Sequence, residues 1–290
     1  MSEPPRMIVI DIDGTLLPSV GTRVSERTCR ALREAEAAGL ELVIATGRRQ
    51  AYAMPLLSPI GLKQQTVLIT SNGTVTRTMA GEPIDRFLLP VETARALCPA
   101  LRPFGTTVFT FDREGAGELV LESLQTLHNR ISLWVEANRP WIREVRPLER
   151  AFDAGESPVQ GMVCGGVVEM RRAEERLAES PLASEIEVHR TEYPSRDLTI
   201  VDILPPGCSK GTALQRLAEK QGVPREAILA IGDNWNDLEM LETAGRAVVM
   251  SNGAPELVEL ARQRGWQIAP ANDEDGVAQV LESVLAGSRV

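Results

Sequence analysis

Lysine is nearly missing from this 290-residue chain: of 31 basic residues only three are lysines, at positions 63, 210 and 220, leaving 28 arginines. Histidine occurs only at 128 and 189. Acids outnumber bases by 40 to 31, a net charge of -9, and no block of basic residues breaks that balance. A nucleic acid or an anionic membrane is therefore not an expected partner. The four cysteines, at 29, 98, 164 and 208, form no CxxC pair and no dense framework. They read as buried or incidental thiols, not as a zinc site or a disulfide scaffold. No apolar run approaches the length that crosses a bilayer. Met1-Ser2-Glu3-Pro4-Pro5-Arg6 is polar and unlike a secretory leader, so a cytoplasmic protein is expected. Repeats and low-complexity segments are missing too. No GxGxxG follows the first apolar run, which speaks against a dinucleotide-dependent oxidoreductase.

What is present is 43% hydrophobic residue, enough for a sizeable core in one large domain or two ordinary ones. It is arranged as short apolar runs that stop abruptly in polar residues. Met7-Ile8-Val9-Ile10 runs into Asp11, and Leu42-Val43-Ile44-Ala45 into Thr46-Gly47-Arg48. Val67-Leu68-Ile69 leads to Thr70-Ser71-Asn72-Gly73, Ile228-Leu229-Ala230-Ile231 to Gly232-Asp233-Asn234, and Ala247-Val248-Val249-Met250 to Ser251-Asn252-Gly253. Runs without alternation indicate strands covered on both faces, as in a parallel sheet between helices. Helices are predicted over 26–38, capped by Ser25 and stopped by Gly39, and over 210–221, 235–244, 254–264 and 274–286. The alternation implies a doubly wound α/β domain.

That pattern breaks between residues 83 and 192. A hairpin-like pair, Thr106–Phe111 and Glu118–Leu121, is followed by runs at Met162–Met170 and Ile186–His189 around a charged helix at 171–179. We read 83–192 as an inserted α+β domain. Residues 1–82 and 193–290 then form a discontinuous core, the parallel pattern resuming at Leu198–Leu204.

Open α/β sheets bind ligands beyond the carboxyl ends of their strands, where all these polar clusters fall. Asp11 ends a buried strand, a costly place for a carboxylate unless a cation joins it. Asp13-Gly14 alone would be an ordinary turn pair. Together, Asp11 can act as a nucleophile toward phosphorus and Asp13 as the acid and base. Repulsion between carboxylate and phosphate calls for a metal, and magnesium, an oxygen-seeking ion, suits. Asp233 ends another buried strand and is a second metal-ligand candidate, while Asp237, four residues on, can face the same site. Helix capping explains one of these polar residues but not the cluster. Thr46, Gly47 and Arg48, with Asn72 and Asn236, are candidates to bind a phosphate. Lys210, at a helix start, supplies a compact positive charge. Both histidines read as structural.

Taken in order, Asp11-Ile12-Asp13-Gly14-Thr15, Thr46-Gly47-Arg48, Lys210 and Gly232-Asp233-Asn234-Trp235-Asn236-Asp237 resemble the four motifs of the haloacid dehalogenase superfamily, in particular its Cof-like hydrolases with a type IIB cap. The resemblance implies a Rossmannoid core with an inserted cap. It implies Asp11 as nucleophile, Asp13 as general acid and base, and Mg2+ held by Asp11, the Asp13 carbonyl and Asp233. Thr46 and Lys210 would bind the phosphoryl group, with Asp237 in support. The implied activity is hydrolysis of a small phosphorylated metabolite, a sugar phosphate foremost; a phosphomutase or a non-catalytic phospho-ligand sensor are the alternatives. Dehalogenase relatives lack the second acid, Asp13. Where the family usually has Met-Gly-Asn-Ala, this chain has Met250-Ser251-Asn252-Gly253, which leaves the role of Asn252 open.

Overall fold

The computed structural model describes residues 4–113, 115–126, 131–193 and 196–287. Its first strand, β1 (Met7–Ile10), is buried at every position. Ile8 and Ile10 join one apolar cluster, Met7 and Val9 another, so alternate side chains enter opposite faces and both faces are covered. This two-sided burial is why the run is continuously apolar. Helix α1 (Glu26–Ala37) starts at Ser25, whose hydroxyl oxygen accepts from the Thr28 amide. β2 (Glu41–Ala45), α2 (Gln50–Leu57) and β3 (Val67–Thr70) follow, β1, β2 and β3 running parallel. The chain then turns back on itself through β4 (Val75–Thr78) and β5 (Pro83–Arg86), which pair antiparallel at the sheet edge.

A second compact unit spans Phe87–Cys208. It contains α3 (Val91–Leu101), β6 (Val108–Thr110), β7 (Leu119–Leu121), α4 (Ser132–Asn138), β8 (Ile142–Glu144), β9 (Gln160–Gly165), α5 (Val167–Ala178), β10 (Glu187–Tyr193) and β11 (Leu198–Leu204). Its mostly antiparallel sheet has the order β10-β11-β9-β6-β7-β8. Phe109, Phe111, Phe152, Val163 and Val201 fill its core, with Phe109 and Phe152 edge to face at 5.0 Å.

The chain re-enters the first unit at Ser209. There α6 (Lys210–Gln221), β12 (Ile228–Gly232), α7 (Leu238–Thr243), β13 (Arg246–Met250), α8 (Pro255–Arg264), β14 (Gln267–Ala269) and α9 (Gly276–Leu285) complete an eight-stranded sheet. Its order is β14-β13-β12-β1-β2-β3-β4-β5. Side chains of α1 and α9 cover one face, those of α6, α7 and α8 the other. Strand order reverses at β1, which pairs in parallel with β12 on one side and β2 on the other. At such a switch point a crevice opens beyond the strand ends.

The boundaries differ from the sequence reading of 83 and 192. β5 belongs to the large sheet, so the insertion begins after Arg86. More consequentially, β11 is not the return of the parallel pattern, because it pairs antiparallel with β9 and β10. It is a central strand with Val201 and Ile203 on one face and Leu198 and Ile200 packed on the other, so apart from Thr199 and Asp202 it is apolar for the same reason as β1. Continuity of an apolar run reports burial on both faces, not the direction of the neighbours. The run Met162–Met170 likewise divides: β9 ends at Gly165 and α5 starts at Val167, burying Met170, Ala173 and Leu177 along one face. The 235–244 helix is a 3₁₀ turn at Trp235–Asp237 followed by the shorter α7.

Candidate active site

Two chain segments, the one after β1 and the one after β12, bring four carboxylates, Asp11, Asp13, Asp233 and Asp237, to the carboxyl end of β1. Asp11 continues the ladder, its amide donating to the Ile231 carbonyl at 3.0 Å, and is 4% exposed. Lys210, the first residue of α6, is 1% exposed. Its Nζ donates to Asp11 Oδ1 at 2.6 Å and to Asp237 Oδ1 at 2.7 Å. The helix start that aims it is held by a reciprocal cap between Ser209 and Thr212. Asp237 Oδ2 accepts from the amides of Asp233 and Asn234, both at 3.0 Å, which closes the loop after β12. Asp233 Oδ1 accepts from the Thr15 hydroxyl at 2.7 Å.

The turn after β1 is tight against Asp233. Gly14 sits at φ +84°, and a Cβ there would lie 2.3 Å from Asp233 Oδ2. Both the backbone angle and the space demand glycine. Gly14→Ala should therefore displace the Asp233 carboxylate and cost several-fold in divalent-ion affinity, measured by titration calorimetry; unchanged affinity would disprove the fit.

Thr46 directly follows β2, 1% exposed, with its hydroxyl oxygen accepting from the Arg48 amide at 3.1 Å. Ser71 and Asn72, just past β3, both take left-handed angles, φ 49° and 52°. Their amides donate to the Arg48 and Thr46 carbonyls at 3.0 and 3.1 Å, joining the ends of β2 and β3. Asn236 Nδ2 donates to Asn72 Oδ1 at 3.1 Å, and Gly47 leaves the room for that amide, since a Cβ there would come within 3.1 Å of it. Asn252 resolves into a strap: its Nδ2 donates to the Gly14 carbonyl at 2.8 Å and its Oδ1 accepts from the Asn272 amide at 2.9 Å.

Arg48, expected to bind a phosphate, also reaches Asp13. Its Nε and Nη2 donate to Asp13 Oδ2 and Oδ1 at 2.8 and 2.5 Å. Sequence reasoning also passed over Thr15, although the residue sits inside the first motif. His189 is buried in the inserted unit with Nε2 3.0 Å from the Cys208 carbonyl oxygen; His128 lies outside the described residues.

Burial raises the Asp11 carboxyl to about 8; the Asp237 charge adds to this and Lys210 opposes it. Burial also pushes Asp233 well above the usual carboxylate range, reinforced by Asp11 and Asp237. For Lys210 burial works against the ammonium, but Asp11 and Asp237 together outweigh it and hold the proton on more firmly than usual. Three buried carboxylates thus share one buried cation. Oxygens of Asp11, Asp233 and Asp237 lie within 4.8 Å of one another, so a divalent cation fits both the charge and the donor set. Asp237 already uses both oxygens, on Lys210 and on two amides. That leaves Asp11 and Asp233 as the carboxylates better able to turn toward an ion.

A family model for haloacid dehalogenase-like hydrolases matches residues 8–281. The chain belongs to this family. It is 28% identical over 300 residues to the 5-amino-6-(5-phospho-D-ribitylamino)uracil phosphatase of Bacillus subtilis, covering 97% of this chain and 99% of that one. With the phosphatase YwpJ of the same organism it shares 30% identity over 303 residues, covering 97% and 100%. A solved subclass IIB sugar phosphatase of the superfamily superposes with a TM-score of 0.75 at 22% identity, over 96% of this chain and 98% of the other, which shows the shared fold. The α/β core and inserted α+β unit are thus the Rossmannoid core and cap of a Cof-like member. Among the described residues no helix is long and apolar enough to cross a membrane.

Proposed function

We propose that the chain is a magnesium-dependent phosphoric monoester hydrolase of the cytoplasm. Its substrate is a small phosphorylated metabolite, a sugar phosphate foremost, cleaved through an aspartyl phosphate on Asp11. The observation that carries this reading is the buried Asp11–Lys210–Asp237 chain at the switch point, beside Asp233 and short of positive charge. Phosphatases that align over nearly the whole chain support it.

Asp11, Asp233 and the Asp13 carbonyl would hold Mg2+, which when bound neutralises the carboxylate and phosphate charges and keeps Asp11 ionised. A carboxylate oxygen of Asp11 attacks phosphorus as the ester oxygen departs, and Asp13 gives that oxygen its proton. Lys210 and the Thr46 hydroxyl face the transferring oxygens, and Lys210 also fixes which Asp11 oxygen is turned away. Asp13, now a carboxylate, takes a proton from water, and the resulting hydroxide attacks phosphorus. Phosphate leaves and the Asp11 carboxylate is restored. The amide pair Asn72–Asn236 keeps the ends of β3 and β12 at a set spacing around the phosphate.

A panel of sugar and polyol phosphates, phosphoglycolate-like acids, nucleotides and pyridoxal phosphate should show magnesium-dependent phosphate release from at least one ester, with no bisphosphate activator. Need for such an activator would indicate a phosphomutase. No turnover on any ester at saturating magnesium would leave a phospho-ligand sensor.

A further inference from the structure

We propose that Arg48 is a positioning residue that sets the orientation of the Asp13 carboxylate, and that it does not bind the transferring phosphoryl group; this rests on the phosphatase reading above. Every other carboxylate of the site is held: Asp11 and Asp237 share Lys210, Asp237 also accepts from two amides, and Asp233 accepts from Thr15. Asp13 is the most open of the four, its side chain 35% exposed, and its partner comes from the loop after β2. Arg48 meets it with two nitrogens on two oxygens. A fork-to-fork contact fixes the plane of a carboxylate as well as its position, which one ammonium bond does not.

The fork is itself held. The Arg48 amide donates to Thr46 Oγ1 at 3.1 Å and its carbonyl accepts from the Ser71 amide at 3.0 Å. Its guanidinium lies over the ring of Tyr52, 4.6 Å from the centroid and in the first turn of α2. One face of the guanidinium plane is thereby covered, and its edge is turned on Asp13. The two-nitrogen contact favours the ionised Asp13, the form that acts as base; when Asp13 carries the proton for the ester oxygen, one oxygen gives up its Arg48 nitrogen to that proton and the other contact keeps the carboxyl in place. Proton exchange at an ester oxygen is sensitive to the direction of the donor, so a mobile Asp13 would lose rate without any loss of phosphate binding. A partly exposed ion pair contributes little to stability, so anchoring the fold is a weak reason for so elaborate a contact.

The test compares wild type, Arg48→Ala, Arg48→Lys and Asp13→Asn on two esters: an alkyl phosphate that the wild type accepts, and 2,4-dinitrophenyl phosphate, whose leaving phenolate needs no proton. kcat/KM reports events only through formation of the phosphoenzyme, and the ratio between esters within one preparation is independent of its folded fraction. Arg48→Ala should lose at least about tenfold more on the alkyl ester than on the aryl one, within the usual range for acid catalysis. Asp13→Asn should lose more still, and Arg48→Lys less. Inhibition by inorganic phosphate should shift by less than about threefold in Arg48→Ala, small beside the acid-catalysis effect. Equal losses on both esters, or no loss on either, would overturn the proposal. So would phosphate inhibition weakened about tenfold or more, the size expected when a charged contact to phosphate is removed. A wild type that releases phosphate from no alkyl ester and not from the aryl one would overturn the phosphatase reading and the role of Arg48 with it.

Discussion

Asp11→Asn should lower turnover by about 10⁴-fold or more, the scale seen when a covalent nucleophile is removed, while leaving the fold intact. The amide oxygen of asparagine still accepts from Lys210, whose Nζ lies 2.6 Å from Asp11 Oδ1, so the buried ammonium keeps both contacts. What the substitution removes is one of three buried acids crowded around a single lysine. In the absence of a divalent ion above pH 8, where Asp11 is ionised, the variant should therefore melt at or above the wild-type temperature. Catalysis and stability move in opposite directions, and a single pair of measurements, phosphate release and a thermal melt, reads both. Near-normal turnover in Asp11→Asn would sink the covalent mechanism. A large fall in melting temperature would show that Asp11 serves the fold instead.

The second large effect is the dependence of stability on pH and magnesium. Folded Asp11 titrates at about 8, against an ordinary value of 3.8. Between these values the folded chain holds a proton that the unfolded chain has released. The stability linked to this group is therefore fully present below pH 3.8 and is lost as pH rises through 8. Asp233, displaced in the same direction by burial, adds to the loss. For chelator-treated protein the melting temperature should fall between pH 5.5 and 8.5 by on the order of 5 °C, as a loss of about 2 kcal/mol would produce in a chain of this size. Magnesium held by the ionised carboxylates, as proposed, should restore the midpoint, and do so more at pH 8.5 than at 5.5. Turnover should vanish with chelation and return with magnesium. A magnesium shift of equal size at both pH values would contradict the assignment of these two carboxylates, and Asp233→Asn should abolish most of the shift.

The residues that were legible in the sequence are those whose local context already conflicts with burial. Asp11, Thr46 and Asp233 each terminate a run that has no reason to end in a polar group unless the strand end is used. Lys210 was legible from the opposite direction, as one of three lysines in an arginine-rich chain at a capped helix start. Pairings between segments were not legible. Arg48 and Asp13 are 35 positions apart, and which of two nearby anions an arginine meets, phosphate or aspartate, depends on how two loops come to rest. The topology of β11 was hidden because two-sided burial produces the same apolar run in either sheet. Thr15 and Asn252 look like turn residues in isolation, and only the approach of Asp233 and of Gly14 gives them partners.

The switch point at β1 has a bearing on how the chain is made. Of the two strands that flank β1, β2 leaves the ribosome about thirty residues later, but β12 only after the whole of Phe87–Cys208 has been synthesised. Until Ile228–Gly232 emerges, one long edge of β1 has no companion, and its amides and carbonyls are open to any other extended chain. The inserted unit is contiguous and can collapse on its own contacts in the meantime, a nascent protein folding domain by domain. Its breadth sets the length of that delay: every residue added to the insertion lengthens the time for which the strand leading into Asp11 waits half-paired.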